Sequence, residues 1–333
     1  VMDRDIKRIL IQTTCLPDLI GDTPLPFIRE ARKRGDVKIY WTSKTMVMRD
    51  VYRTICLDSL NGIQFKKVRR PDHVILAGIS NDRQKDELSR LLFDLLKLKV
   101  VGFMYPEVGF DAYPEIGSAS WIVWGNPVGW QDQDSSIFRG KLGIVEPSPP
   151  FGIAGTLEWL KTIGARLGLD ARGELLAAGL RKAFGARIEE IKGRCGSRRI
   201  ALIGDLADLQ LLTSRNDFCG FAVSDILREM GFNLKFFLYG SGLKTADHRP
   251  TPKNLRAFSS GLQLEQLLSE EKSALAFSSF SHDPRLIRRG IHSFSENAFA
   301  PGMEGFLRSA GMLLSMAENV PFTNQRHLLR PAG

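Results

Sequence analysis

Two residues stand out for the chemistry their types allow. Cys15 follows Thr13 and Thr14 directly after the apolar run Ile6 to Gln12, which reads as a strand. In open α/β sheets ligands collect at the carboxyl ends of strands, so a thiolate there is placed to hold a soft metal. His292 lies in GIHSFSENAF, between a basic helix and the final helix. A neutral imidazole at such a loop is able to ligate a metal or a cluster iron. Each residue also has a plainer reading. A lone cysteine is most often a small buried hydrophobe, and a loop histidine a hydrogen-bonded one. Cys56 and Cys219 fall in helical patterns and read as core, while Cys195, between Gly193 and Gly196, reads as an exposed loop thiol. His73, His248, His282 and His327 stand beside turns or termini, with structural or solvent readings.

Other chemistries lack their motifs. Gly240, Gly242 and Lys244 lie close together without the spacing of a phosphate-binding loop, and no GxGxxG follows a strand. There is no CxxC, HExxH or GxSxG in the sequence, which disfavours a zinc site built from this chain alone and a serine nucleophile elbow.

The elements that must position Cys15 and His292 follow the alternation of an α/β protein. Strands are expected at 6–12, 37–42, 74–78 and 99–104, with a helix over 24–34. A second helix, over 82–97, repeats Leu88, Leu91, Leu92, Leu95 and Leu96 at helical spacing. Residues 105–150 turn rich in Pro, Gly, Trp, Asp and Ser and read as a loop, or as strands joined by loops. Their close-set Trp121, Trp124 and Trp130 read first as packing. Helices at 155–167 and 172–191 precede strands at 199–204 and 233–238, separated by a helix near 217–230. Strand, loop and helix recur over 255–280, and a last helix spans 303–317. The expected architecture is three Rossmann-like α/β units with small, mostly parallel sheets flanked by helices, over 1–70, 71–150 and 151–333.

Composition agrees with that picture. The 333 residues are 43% hydrophobic and 25% charged, with four Cys, which excludes fibrous, disordered and disulfide-scaffold classes. No apolar run is long enough to span a membrane. The chain begins at Val1 with no signal-peptide pattern, so the true start is expected upstream. Net charge is +9, gathered in clusters such as Arg29, Arg32, Lys33 and Arg34, or Lys66, Lys67, Arg69 and Arg70. These read as solvated helix ends or as a face for an acidic protein partner. A nucleic-acid partner is not expected, because no reading motif accompanies the charge.

The segment TTCLPDLIGDTPLPFIREARKRG (13–35) resembles the nitrogenase component 1 family, where a Thr-x-Cys motif and an Ile-Gly-Asp precede a helix. The resemblance continues through VILAG (74–78), PPFGIAGTLEWLKTIGARLGL (149–169), SRRIALIGDLADL (197–209) and IHSFSENAFAPGMEGF (291–306). It implies that Cys15 ligates an iron–sulfur cluster shared with a homologous partner subunit. It also implies that His292, with Ser293, stands where catalytic subunits place the histidine of a larger iron–sulfur metallocofactor. Phe151, Gly152, Thr156 and Trp124 would line that cofactor or its substrate. The implied partners are a homologous component 1 subunit, in a hetero-oligomer, and an ATP-dependent iron protein, in the cytoplasm. Two departures shape the expectation. The family's other cluster cysteines lie upstream of the Cys15 motif, in a region not present here. A cofactor cysteine expected near Trp124 to Asn126 is missing from WIVWGNPVGW. Three activities therefore stand side by side: a nitrogenase-like reductase subunit, a scaffold for metallocofactor assembly, and a metal-free protein binding a small ligand.

Overall fold

The structure, a computed structural model of the chain, describes residues 8–12, 24–33, 38–42, 63–79, 82–104, 115–125, 140–169, 173–205, 208, 212–214, 220–240, 254–278 and 284–318. Two compact units divide the chain. One comprises Val1–Ser80, Lys99–Val123 and Trp130–Ile144, and the other Asn81–Leu98, Trp124–Gly129 and Val145–Gly333. Cys15, Cys56 and Cys219 lie outside the described residues, as do His248, His282, His327 and Trp130.

The first unit begins with β1 (Arg8–Gln12) and β2 (Lys38–Thr42), paired in parallel with Ile9 level with Ile39. Between them α1 (Leu25–Lys33) buries Ile28 and ends on Arg32 and Lys33. Arg32 is held in place by donating to the carbonyl of Ile39 at 2.7 Å. A four-stranded sheet follows in the order β4 (Lys99–Met104), β3 (Arg70–Ala77), β5 (Ala119–Trp124), β6 (Gly143–Val145). β3 starts four residues earlier than its apolar core suggests. Arg70, Pro71 and Asp72 are exposed, and burial begins at His73. The His73 imidazole is satisfied there by Ser118 Oγ at 2.7 Å, and that hydroxyl donates to the Glu115 carbonyl at 2.6 Å. Burial holds the His73 pKa below its ordinary value, so the ring is a neutral structural element.

The second unit is built on five parallel strands in the order β11 (His292–Phe294), β10 (Leu275–Phe277), β7 (Arg199–Gly204), β8 (Asn233–Tyr239), β9 (Leu255–Phe258). Counted from β7, the order runs 5-4-1-2-3, a doubly wound sheet whose direction reverses between β7 and β10. A sheet covered on both faces needs strands apolar on both faces, and Ile200, Ala201 and Leu202 or Phe236, Phe237 and Leu238 are buried without alternation. One face packs α6 (Gly261–Glu271) through Leu264, Leu267 and Leu268 onto Ala201, Phe237 and Phe258. Short helices α5 (Val223–Glu229) and α7 (Pro284–Arg288) lie within the same unit. Its long helices are α2 (Asp82–Leu96), α3 (Gly152–Arg166), α4 (Gly173–Cys195) and α8 (Met303–Glu318).

Cys195 corrects one expectation. It is not a loop thiol but the last residue of α4, and it is fully buried. Burial pushes its thiol up to about 12, which leaves it protonated and inert. Among the described residues no helix is long and apolar enough to cross a membrane.

Candidate functional site

In a doubly wound sheet the ligand crevice lies outside the carboxyl ends of the strands, at the point where the order reverses. Here that point lies between the ends of β7 and β10. β7 leaves the sheet through Gly204 into a tight loop. The Asp205 amide donates to Asp208 Oδ2 at 3.0 Å and the Asp208 amide returns a bond to Asp205 Oδ1 at 2.9 Å. A Cβ on Gly204 would lie 2.3 Å from Asp208 Cβ, so only glycine allows the turn.

Beside it the ends of β10 and β11 carry rings. Phe277 and Phe294 meet edge to face at 5.6 Å, and Phe294 reaches Phe299 at 6.2 Å. Phe299 contacts Phe221 at 5.5 Å, and Phe221 contacts Phe151 at 4.4 Å. An aromatic row thus runs from the sheet to the start of α3, with centroid separations in the range where quadrupoles attract.

Two helices start at this place in the same way. α3 begins at Gly152, with φ +73°, after Pro149, Pro150 and Phe151. α8 begins after Pro301 and Gly302, the latter with φ +82°. The Gly302 amide donates to the Pro150 carbonyl at 2.7 Å, so the two starts are tied together. Each start receives a carboxylate from another helix. Glu229 accepts from the amides of Ile153 at 2.6 Å and Ala154 at 3.0 Å. Glu87 accepts from those of Glu304 at 2.5 Å and Gly305 at 3.1 Å, and from Arg308 at 3.2 Å. A helix N-terminus presents unpaired N–H groups and the positive end of its dipole, which a carboxylate satisfies. Both acids are raised above the ordinary glutamate range by burial, against the pull of the amide donors. The glycines make the room: a Cβ would fall 2.4 Å from Glu229 Oε2 at position 152, and 2.5 Å from Glu87 Oε1 at position 302.

The structure gathers four of the expected site residues around α3. Phe151 ends the aromatic row, Gly152 seats the Glu229 carboxylate, and Thr156 is one turn further on. The Thr156 hydroxyl is fully buried and directed at its own turn, 2.7 Å from the Gly152 carbonyl and 3.1 Å from that of Pro150. Trp124 joins through its carbonyl, which accepts the indole N–H of Trp159 at 2.9 Å. His292 and Ser293 are half-buried and sit at the amino end of the three-residue β11, with His292 level with Leu275. Their strand meets the row through Phe294. Cys15 is not among the described residues, but it follows Gln12, the carboxyl end of β1, by three positions.

Glu87 and Glu229 escaped notice in the sequence, where acids on amphipathic helices read as solvated. A signal existed: Glu87 lies four residues before Leu91 and next to Leu88, on the side of α2 that is buried. Among the described residues no group of three or more His, Cys, Asp or Glu is placed to hold a metal ion. With Cys195 locked as a thiol, the described residues do not make an iron–sulfur cluster site by themselves.

Residues 1–283 match the family described as nitrogenase component 1 type oxidoreductase. Among solved structures the chain is similar to "Nitrogenase Cp1 at pH 5", with TM-score 0.58 and 12% identity over 98% of this chain and 72% of that one. It is likewise similar to "Nitrogenase Cp1 at pH 6.5", with TM-score 0.57 and 12% identity over 98% and 74%. At such identity the likeness is one of fold. No curated protein matches the sequence.

Proposed function

The chain belongs to the nitrogenase component 1 type oxidoreductases, and from that membership we propose that it is one subunit of a component 1-like reductase complex. In this reading it works in the cytoplasm beside a homologous subunit and receives low-potential electrons from an ATP-dependent iron protein. Family members generally bind iron–sulfur clusters, whose chemistry is one-electron transfer. The observation that carries the reading is a family match that includes the Cys15 segment, on a chain that keeps the component 1 fold over nearly all its length. Cys15 supplies one thiolate to a cluster whose remaining ligands come from the partner subunit or from residues outside this sequence. His292 supplies an imidazole to the bound metallocofactor, with Ser293 beside it. Phe151, Gly152, Thr156 and Trp124 act as frame rather than as ligands: the Thr156 hydroxyl and the Trp124 carbonyl are committed to α3, and the Phe151 ring packs on Phe221 at the start of that helix. The test is to co-express the chain anaerobically with its homologous partner and compare iron content and cluster spectra of the complex with and without Cys15→Ala. Loss of iron is expected, and unchanged iron would remove the ligand role.

One observation favours a second reading. WIVWGNPVGW has no cysteine to anchor a permanent cofactor, which suits a scaffold that must release its cargo. Turnover that depends on ATP and reductant is expected for the reductase. Retained cluster without turnover assigns the scaffold.

A further inference from the structure

A cavity of about 390 Å³ opens within the second unit between α2, α4 and α8, beside the start of α8 and with no residue of the aromatic row in its lining. Its floor is apolar, made by Leu91 and Leu95 from α2 and by Leu180 and Phe184 from α4. The room comes from small residues one turn apart on α4, Gly179 and Ala183; a Cβ at 179 would already press on Leu95 Cδ2 at 2.7 Å. The rim is charged. Glu87 is taken up by Arg308 and the start of α8, and Glu304 by Arg187 through a two-pronged contact of 2.5 and 2.8 Å. Arg83 and Arg90 are different. Both are exposed on α2, and among the described residues no carboxylate lies within ion-pair distance of either; Arg83 acts on Glu304 only through space, and Asp94, one turn beyond Arg90, adds a carboxylate to the same rim. They stand seven residues apart, which puts both on the same face of the helix, about 10 Å from one another along its axis.

A concave site of this size, with an apolar floor and a few converging polar groups, is the usual form of a small-molecule pocket. Guanidinium groups select planar anions, carboxylate or phosphate, because their N–H donors form a fork of matching geometry. We propose that the α2–α4–α8 cavity binds a small organic anion, its apolar body on Leu91, Leu95, Leu180 and Phe184 and its acidic head at Arg83 or Arg90. Neither Cys15 nor His292 is among the residues that line the cavity, so a cluster-free preparation of the full chain serves to test it.

The probe is 8-anilinonaphthalene-1-sulfonate, an aromatic body with one anionic head, titrated by fluorescence. The wild-type chain is expected to saturate at one equivalent. The Arg83→Gln/Arg90→Gln double variant, changed only at exposed positions, should bind at least about tenfold more weakly, the loss expected for a charge-assisted contact. Ala183→Phe, which fills the cavity from an exposed helix position, should remove the saturable phase while thermal unfolding is unchanged. Displacement by decanoate identifies a carboxylate ligand, displacement by phenyl phosphate a phosphate one, and displacement by both the shared anion chemistry. Failure of both to displace the dye, equal binding by all variants, or no saturable phase in the wild type would overturn the proposal.

Discussion

At the scale of single residues the chain separates thiols and acids by their surroundings. Cys195 is fully buried with its thiol pushed up to about 12, so native protein at pH 8 should leave it unalkylated by iodoacetamide, and denaturant should expose it. Peptide mapping checks this; labelling of Cys195 in the native chain would contradict its burial. Glu229 gives a pH prediction with a definite sign. Its folded pKa lies above the ordinary glutamate value of 4.5, so its contribution to stability is complete below 4.5 and is lost as pH rises through the folded value. Glu229→Gln keeps an acceptor for Ile153 and Ala154 without titrating. The difference in Tm between variant and wild type should therefore move in favour of the variant from pH 4 to pH 7. A constant difference, or the opposite slope, would show that the carboxylate is not held above its ordinary range. Glu229 and Glu87 also mark where residue-level reading stops. An acid on a helix is visible in sequence, but that it closes another helix depends on which start is brought to it.

At the scale of elements, most boundaries were legible. β7 and β8 announce themselves because a covered parallel strand must be apolar throughout, β4 reads as a short apolar run, and α2 carries the helix period clearly. α4 ran longer than expected because Gly193 reads as a breaker, yet the helix continues past it to Cys195. α3 began three residues earlier than its apolar pattern, because a glycine with φ +73° and a borrowed carboxylate replace the usual capping side chain. Gly152→Ala and Gly302→Ala should each cost about 1–3 kcal/mol, since both add strain at positive φ and press on a buried carboxylate. Chemical denaturation measures this, and a loss below a few tenths would refute the packing described at either start. Trp159→Phe leaves the Trp124 carbonyl without its indole donor and should cost about 1–3 kcal/mol by the same measurement.

At the scale of the whole chain, the three sheets and their flanking helices follow from the alternation of periods, and the doubly wound strand order does not. Nothing in β10 or β11, three residues each, says that both lie on the far side of β7 from β8. That order comes from right-handed crossovers and from which helices cover which face, properties of the assembled unit. The candidate site shared the same fate. Cys15 and His292 were nameable from residue type, whereas the aromatic row joining β11 to α3 and the cavity beside α2 exist only once distant segments meet. Amide exchange should be slowest in β7, β8 and β10, inside the five-stranded sheet, and faster in the edge strands β9 and β11. Edge strands outlasting β7 would contradict the topology.

The carboxylate of Glu87 and the amide of Glu304 that it serves are 217 residues apart in sequence. During synthesis Glu87 emerges long before α8 exists, so until that helix is made its side chain has no amides to close and remains hydrated at the surface of an unfinished unit. The closure of this part of the protein therefore waits on α8, and a ribosome stalled before Met303 would carry a nascent chain with α2 still open at that point.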